Sequence, residues 1–75
     1  MSVEERVREV AEQIVGLPDD VDRDTEISEL GLDSLDVTEF IMELEEEFDI
    51  TIADDAVDGF KTFGDIVEYV ENEMQ

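Results

Sequence analysis

The sequence predicts an all-α domain: a small four-helix bundle of three main helices and one short helix, with a long loop between helices one and two. Three observations carry this prediction. Apolar residues recur at helical spacing in three separate runs. Each run opens on a residue suited to capping free backbone N–H groups. The one segment with strand character has nothing to pair with. At 75 residues the chain is one domain, 1–75, near the lower size limit for folding without disulfides or metal. Such a chain buries one thin core, so an enclosed catalytic pocket is not expected.

The first helix opens at Ser2, which with Glu5 makes a capping-box pattern in which each side chain takes up a free backbone N–H. Val3, Val7, Val10, Ala11, Ile14 and Val15 then fall on one face. Gly16 suits the left-handed residue that follows a helix and Pro18 forbids continuation, so the helix ends near Val15. The connection from 17 to 33 is long for a compact domain. Leu17, Val21, Ile27, Leu30 and Leu32 are spaced to pin it to the core, and residues 25–30 suit a short helical turn. Gly31 relaxes the backbone before the second helix.

Asp33 caps that second helix, and Asp36 adds negative charge near its positive end. Val37, Phe40, Ile41, Leu44 and Phe48 follow i, i+3, i+4, i+7, i+11 and form one buried stripe. Residues 49–51 break the period. Residues 54–60 read as a short third helix or turn, with Ile52, Ala56, Val57 and Phe60 supplying apolar contacts. A strand over 50–52 is conceivable but unpartnered. Thr62 and Asp65 repeat the capping pattern, and Phe63, Ile66, Val67, Val70 and Met74 share one face of the last helix.

Charge excludes several functions. Twenty-five acidic residues against four basic ones give a formal net charge of −21. Nucleic acids and anionic membranes repel such a surface, whereas basic protein surfaces are attracted to it. Disorder is not expected, because 41% of residues are hydrophobic and they fall in regular periods. No apolar run approaches the ~20 residues of a membrane span, and the amino terminus lacks the features of a secretory signal. A cytoplasmic monomer without membrane insertion is the expectation. With no histidine there is no Ser-His-Asp triad, and with no cysteine there is no thiol catalysis, thiolate metal site or disulfide. Asp20, Asp22, Asp24 and Glu26 alternate like the start of an EF-hand loop. The sixth and twelfth positions, Thr25 and Gly31 or Ile27 and Asp33 by register, do not fit. No defined metal site is expected, only loose divalent binding that relieves self-repulsion.

Ser34 stands where the polar loop meets the second helix. It is either an ordinary helix-start serine or a hydroxyl that another enzyme modifies. At ~100° per residue, Leu35 and Met42 fall opposite the core stripe, with Thr38, Glu39, Glu45 and Glu46 around them. This face suits a partner with an apolar groove and a basic rim. Isolated exposed apolar residues are also common on surfaces without function.

Asp33-Ser34-Leu35 resembles the Asp-Ser-Leu signature of acyl carrier proteins. The match runs from Leu30-Gly31-Leu32 through Asp36 and into Glu39-Phe40-Ile41-Met42-Glu43-Leu44-Glu45-Glu46-Glu47-Phe48. That second stretch is similar to the partner-recognition helix of free-standing bacterial carriers of type II fatty-acid synthesis. Val3-Glu4-Glu5-Arg6-Val7 and Lys61-Thr62 fit as well, so the resemblance covers essentially the whole chain. It implies a carrier and not an enzyme. Ser34 would receive a 4′-phosphopantetheine arm from coenzyme A through a phosphopantetheinyl transferase (holo-acyl-carrier-protein synthase). The arm's thiol would carry growing acyl chains as thioesters to fatty-acid biosynthesis enzymes with basic docking patches.

The resemblance places Asp33 and Asp36 near the transferase contact. It places Leu35, Glu39, Met42, Glu45 and Glu46 on the partner face, with Thr38 putting a hydroxyl where an aliphatic group is frequent. Phe40, Leu44, Ile52, Val57 and Phe60 are the candidate lining for a sheltered acyl chain. Val37-Thr38 reverses a frequent Thr-Val order, Ala53 replaces a frequent proline, and Phe60 and Phe63 are bulkier than usual. Gly59 weakens the third helix by about 1 kcal/mol relative to alanine. These departures leave a polyketide or other specialised acyl pathway as an alternative cargo route. An unmodified acidic adaptor for a basic protein is the alternative of another class.

Overall fold

The computed structural model describes residues 2–16 and 20–74. Four α-helices follow in the expected order: α1 (Val3–Val15), α2 (Ser34–Phe48), α3 (Asp54–Asp58) and α4 (Phe63–Glu73). The helical turn expected in the long loop is a 3₁₀ segment at Ile27–Leu30. Leu17, Pro18 and the Val15 side chain, to which the sequence reading gave roles, lie outside what is described.

Local hydrogen bonds explain the helix boundaries. The Ser2 hydroxyl accepts from the Glu5 N–H at 3.2 Å, and Gly16 closes α1 in the left-handed region at φ 63°. The return half of the expected box differs, because the Glu5 carboxylate accepts from the Ser2 hydroxyl at 3.3 Å and not from its backbone. Full boxes form at α2, between Asp33 and Asp36, and at α4, between Thr62 and Asp65. Beyond α2, Asp49 adopts φ 55°, a conformation that aspartate tolerates better than bulkier residues. The strand considered at 50–52 does not form. The Ile50 N–H goes to the Glu45 carbonyl and the Ile52 N–H to the Glu45 carboxylate.

The three long helices bury their apolar stripes against one another, joined by Val21 from the loop and Ile52 before α3. Val7, Leu44, Val67 and Val70 have no exposed surface. Met74 departs from the expected stripe. It lies just beyond the last residue of α4, as its C-cap, and is 46% exposed. The third helix is shorter than the 54–60 reading and ends at Asp58. Gly59 has φ −86°, which any residue adopts, so its backbone does not require glycine.

The long loop is held to the start of α4 by backbone as well as apolar contacts. The Ile27 N–H donates to Lys61 O at 2.8 Å, Phe63 N–H to Thr25 O at 2.9 Å, and Gly64 N–H to Arg23 O at 2.9 Å. Glu26 and Thr62 thereby form an isolated antiparallel bridge. The approach is close enough that a Cβ on Gly64 would lie 2.6 Å from Arg23 O.

Two outcomes are expected. Gly64→Ala lowers stability by about 1–3 kcal/mol through overpacking, whereas Gly59→Ala raises it by roughly 0.5–1 kcal/mol through the unfolded chain. Urea midpoints of the two variants moving in the same direction would refute this account. Asp65, which accepts from the Lys61 and Thr62 N–H groups, has its carboxyl held below the ordinary value. Its stabilising effect is complete above the unfolded-state pKa and is lost as pH falls through the lower folded-state one. The stability gap between wild type and Asp65→Asn is therefore widest near neutrality and narrows below about pH 4. A gap that is constant across an acid titration would contradict it.

Candidate functional site

Ser34 is the first residue of α2 and is exposed. The Asp33 carboxylate accepts from the Asp36 N–H at 2.9 Å, and the Asp36 carboxylate accepts from the Asp33 N–H at 3.4 Å. Capping of α2 is thus done by the residue before the serine. Among the described residues the Ser34 hydroxyl has no hydrogen-bond partner, so it takes no part in capping α2. The Thr38 hydroxyl donates to the Ser34 carbonyl at 2.8 Å, bracing the first turn beneath it.

The outward face of α2 is as expected for its apolar members, with Leu35 65% and Met42 58% exposed. Thr38, Glu39 and Glu46 are exposed beside them. Glu45 differs: it is half-buried, and its carboxylate accepts from the Ile52 N–H at 2.9 Å. Ion pairs among the described residues use Glu4, Glu47 and Glu71, leaving the carboxylates around Met42 uncompensated. Met42 stands between two clefts. One, of about 250 Å³, includes Ile14, Glu39 and Glu43; the other, of about 130 Å³, includes Thr38, Ile41, Ile52 and Val57. Ile14 and Glu43 were not among the residues assigned to this face from sequence. The signal was present, since Glu43 lies four residues after Glu39 and one turn along the same helix.

The five candidate lining residues do not meet in one compartment. Phe40 borders an apolar crevice with Leu30, Leu32, Val37, Phe63 and Ile66, whose free volume of about 10 Å³ is at the limit for one water molecule. Ile52 and Val57 line the cleft between α2 and α3, and Phe60 lines another between α3 and α4. Leu44 is fully buried in the core. Helical periodicity identified each as apolar and inward, but which neighbours they share depends on helix placement. Leu32, two residues before Ser34, carries the crevice toward the site in sequence.

Among the described residues no cluster of three or more carboxylates is arranged to hold a metal ion. The alternating acids in the loop have a local task at Asp22, whose carboxylate accepts from the Asp24 N–H and the Thr25 hydroxyl. No described helix is long and apolar enough to cross a membrane. A phosphate group attached at Ser34 fits the site. The hydroxyl is exposed and unengaged, and the amino terminus of α2 favours an anion.

The pattern of the family described as "phosphopantetheine attachment site" matches residues 5–70. An acyl carrier protein of a Sulfurovum species is 45% identical over 74 residues, covering 96% of this chain and 99% of that one. An acyl carrier protein of Clostridium perfringens is 56% identical over 46 residues, or 61% of this chain and 60% of that one. The crystal structure of an acyl carrier protein from Thermotoga maritima aligns with a TM-score of 0.82 at 28% identity, covering 93% of this chain and 84% of that one. With the family pattern matched across most of its length, a near full-length relative and a shared helical frame, the chain belongs to the acyl carrier proteins and contains their phosphopantetheine attachment domain.

Proposed function

We propose that Ser34 is the point of 4′-phosphopantetheine attachment and that the chain delivers growing acyl chains to the enzymes of fatty-acid biosynthesis, without catalytic activity of its own. The observation that carries this reading is an exposed hydroxyl at the start of α2 whose capping role is taken by Asp33. When bound, the group supplies a terminal thiol, absent from a chain without cysteine, on which acyl groups are held as thioesters. The protein's own residues then have distinct tasks. Asp33 and Asp36 lock the first turn of α2 and present negative charge to a basic transferase. Thr38 fixes the Ser34 carbonyl, so that the attachment point is held rigidly.

Leu35 and Met42 supply apolar contact to partner enzymes, while Glu39 and Glu46, with Thr38 and Glu45 beside them, meet a basic rim. Phosphopantetheinyl transferase and the fatty-acid synthesis enzymes are the partners in this reading. Phe40 is the best placed of the candidate acyl-chain contacts, because its crevice is wholly apolar and runs toward Leu32. Leu44, Ile52, Val57 and Phe60 contribute from the neighbouring core and clefts as the helices separate. A cytoplasmic monomer belongs to this reading, and copies bearing a net charge of −21 repel one another.

Incubation with coenzyme A, magnesium and a broad-specificity phosphopantetheinyl transferase is expected to add one phosphopantetheine by intact mass, and none to Ser34→Ala. An unchanged mass in both would favour the unmodified adaptor. Charge reversal separates docking from folding. Glu46→Lys and Glu45→Lys both weaken binding to the transferase, but only Glu45→Lys also loses about 1–2 kcal/mol of stability by leaving the Ile52 N–H unpaired. Equal urea midpoints for the two variants would remove the structural role given to Glu45.

A further inference from the structure

A cleft between α3 and α4 shares no lining residue with the Leu35/Met42 face. It is open, with a volume of about 340 Å³, within the range of ligand-binding clefts. Phe60 and Tyr69 line it, packed edge to face with centroids 5.6 Å apart. Ala56 and Gly59 add no bulk beside them. Asp55 and Glu68 are exposed at its rim, whereas Asp65, deeper, is engaged with the Lys61 and Thr62 N–H groups.

The chain itself shows what an aromatic face beside a carboxylate takes here. Arg6 lies 4.4 Å from the Phe48 ring centroid while paired to Glu47. Arg8 lies 5.1 Å from the Phe63 centroid while paired to Glu4. The remaining arginine, Arg23, is paired to Glu4 and Glu71. Phe40 is buried. That leaves Phe60 and Tyr69 as an aromatic pair with acids at its rim and, among the described residues, no guanidinium over it. Lys61 forms no ion pair among the described residues.

We propose that this cleft receives an arginine side chain from a protein partner, its guanidinium against Phe60 and Tyr69 and within reach of Asp55 and Glu68. Guanidinium suits the cleft better than an ammonium. It is planar and weakly hydrated, so it stacks on aromatic rings while donating to carboxylates, whereas lysine is a compact and strongly hydrated charge. The negative surface repels nucleic acid, which restricts the source to protein. The site does not depend on modification of Ser34. Its separation from the α2 face allows one protein to hold the chain while a second engages Leu35 and Met42.

The test is an amide NMR titration of the full chain, and of Ser34→Ala, with acetyl-Gly-Arg-Gly-amide and its lysine counterpart. Saturable shifts concentrated at Ala56, Gly59, Phe60, Glu68 and Tyr69 are expected in both proteins, with arginine bound about threefold more tightly than lysine. Asp55→Lys/Glu68→Lys changes two exposed side chains and is expected to weaken arginine binding about tenfold. Glu9→Lys/Glu12→Lys, on the exposed side of α1, leaves it unchanged. Shifts spread over the whole acidic surface, equal response to lysine, or indifference to the Asp55/Glu68 change would each overturn the proposal. Because Ser34→Ala is carried in parallel, failure here is distinct from failure of phosphopantetheine attachment.

Discussion

The placement of three guanidinium groups among 25 carboxylates governs this structure. Arg6 ties α1 to the end of α2 through Glu47, and Arg23 ties the loop to α1 and α4 through Glu4 and Glu71. Arg8 reaches from α1 to the Val21 carbonyl at 2.6 Å while covering Phe63. Each pair is partly exposed and contributes little as a simple ion pair. Their larger effect is geometric. They reduce repulsion where elements meet and leave the outward face of α2 without compensation, so the unneutralised field lies beside Ser34.

Two serines show how one position in the chain separates structure from function. Ser2 is the residue before α1, and its hydroxyl accepts from the Glu5 N–H. Ser34 lies one place further in, as the first residue of α2, and the equivalent bond is made by Asp33. Serine in the first position is a cap; in the second it is a free hydroxyl at the positive end of a helix. The aspartate of the Asp-Ser-Leu motif therefore has a physical reason beyond charge, since it releases the serine from the cap.

Packing close to that hydroxyl is tight. The apolar crevice running from Leu32 past Phe40 to Phe63 is filled by the chain's own side chains. Phe63 is 1% and Phe40 3% exposed, so this space admits a further group only when neighbouring elements move. The 3₁₀ segment at Ile27–Leu30 borders the crevice with half-buried residues, unlike the buried Phe40, Phe63 and Ile66 opposite it. Sub-global opening is expected in such a less buried unit.

The number and order of the helices, the capping residues of the three long ones and most of their buried stripes were legible in the sequence. Capping bonds span about three residues and apolar stripes repeat every three or four, so both are written in adjacent residues. The Asp-Ser-Leu resemblance was legible for the same reason. Tertiary structure alone decided the features that join distant segments. The loop meets α4 through backbone groups that have no side-chain signature, and Gly64 is glycine because Arg23, 41 positions earlier, lies against it. Glu45 folds back onto Ile52 and is less free than its helical position suggested. The five apolar residues first assigned to one lining divide among separate spaces. Periodicity states which side of a helix faces inward; only the packed arrangement of helices states what that side meets.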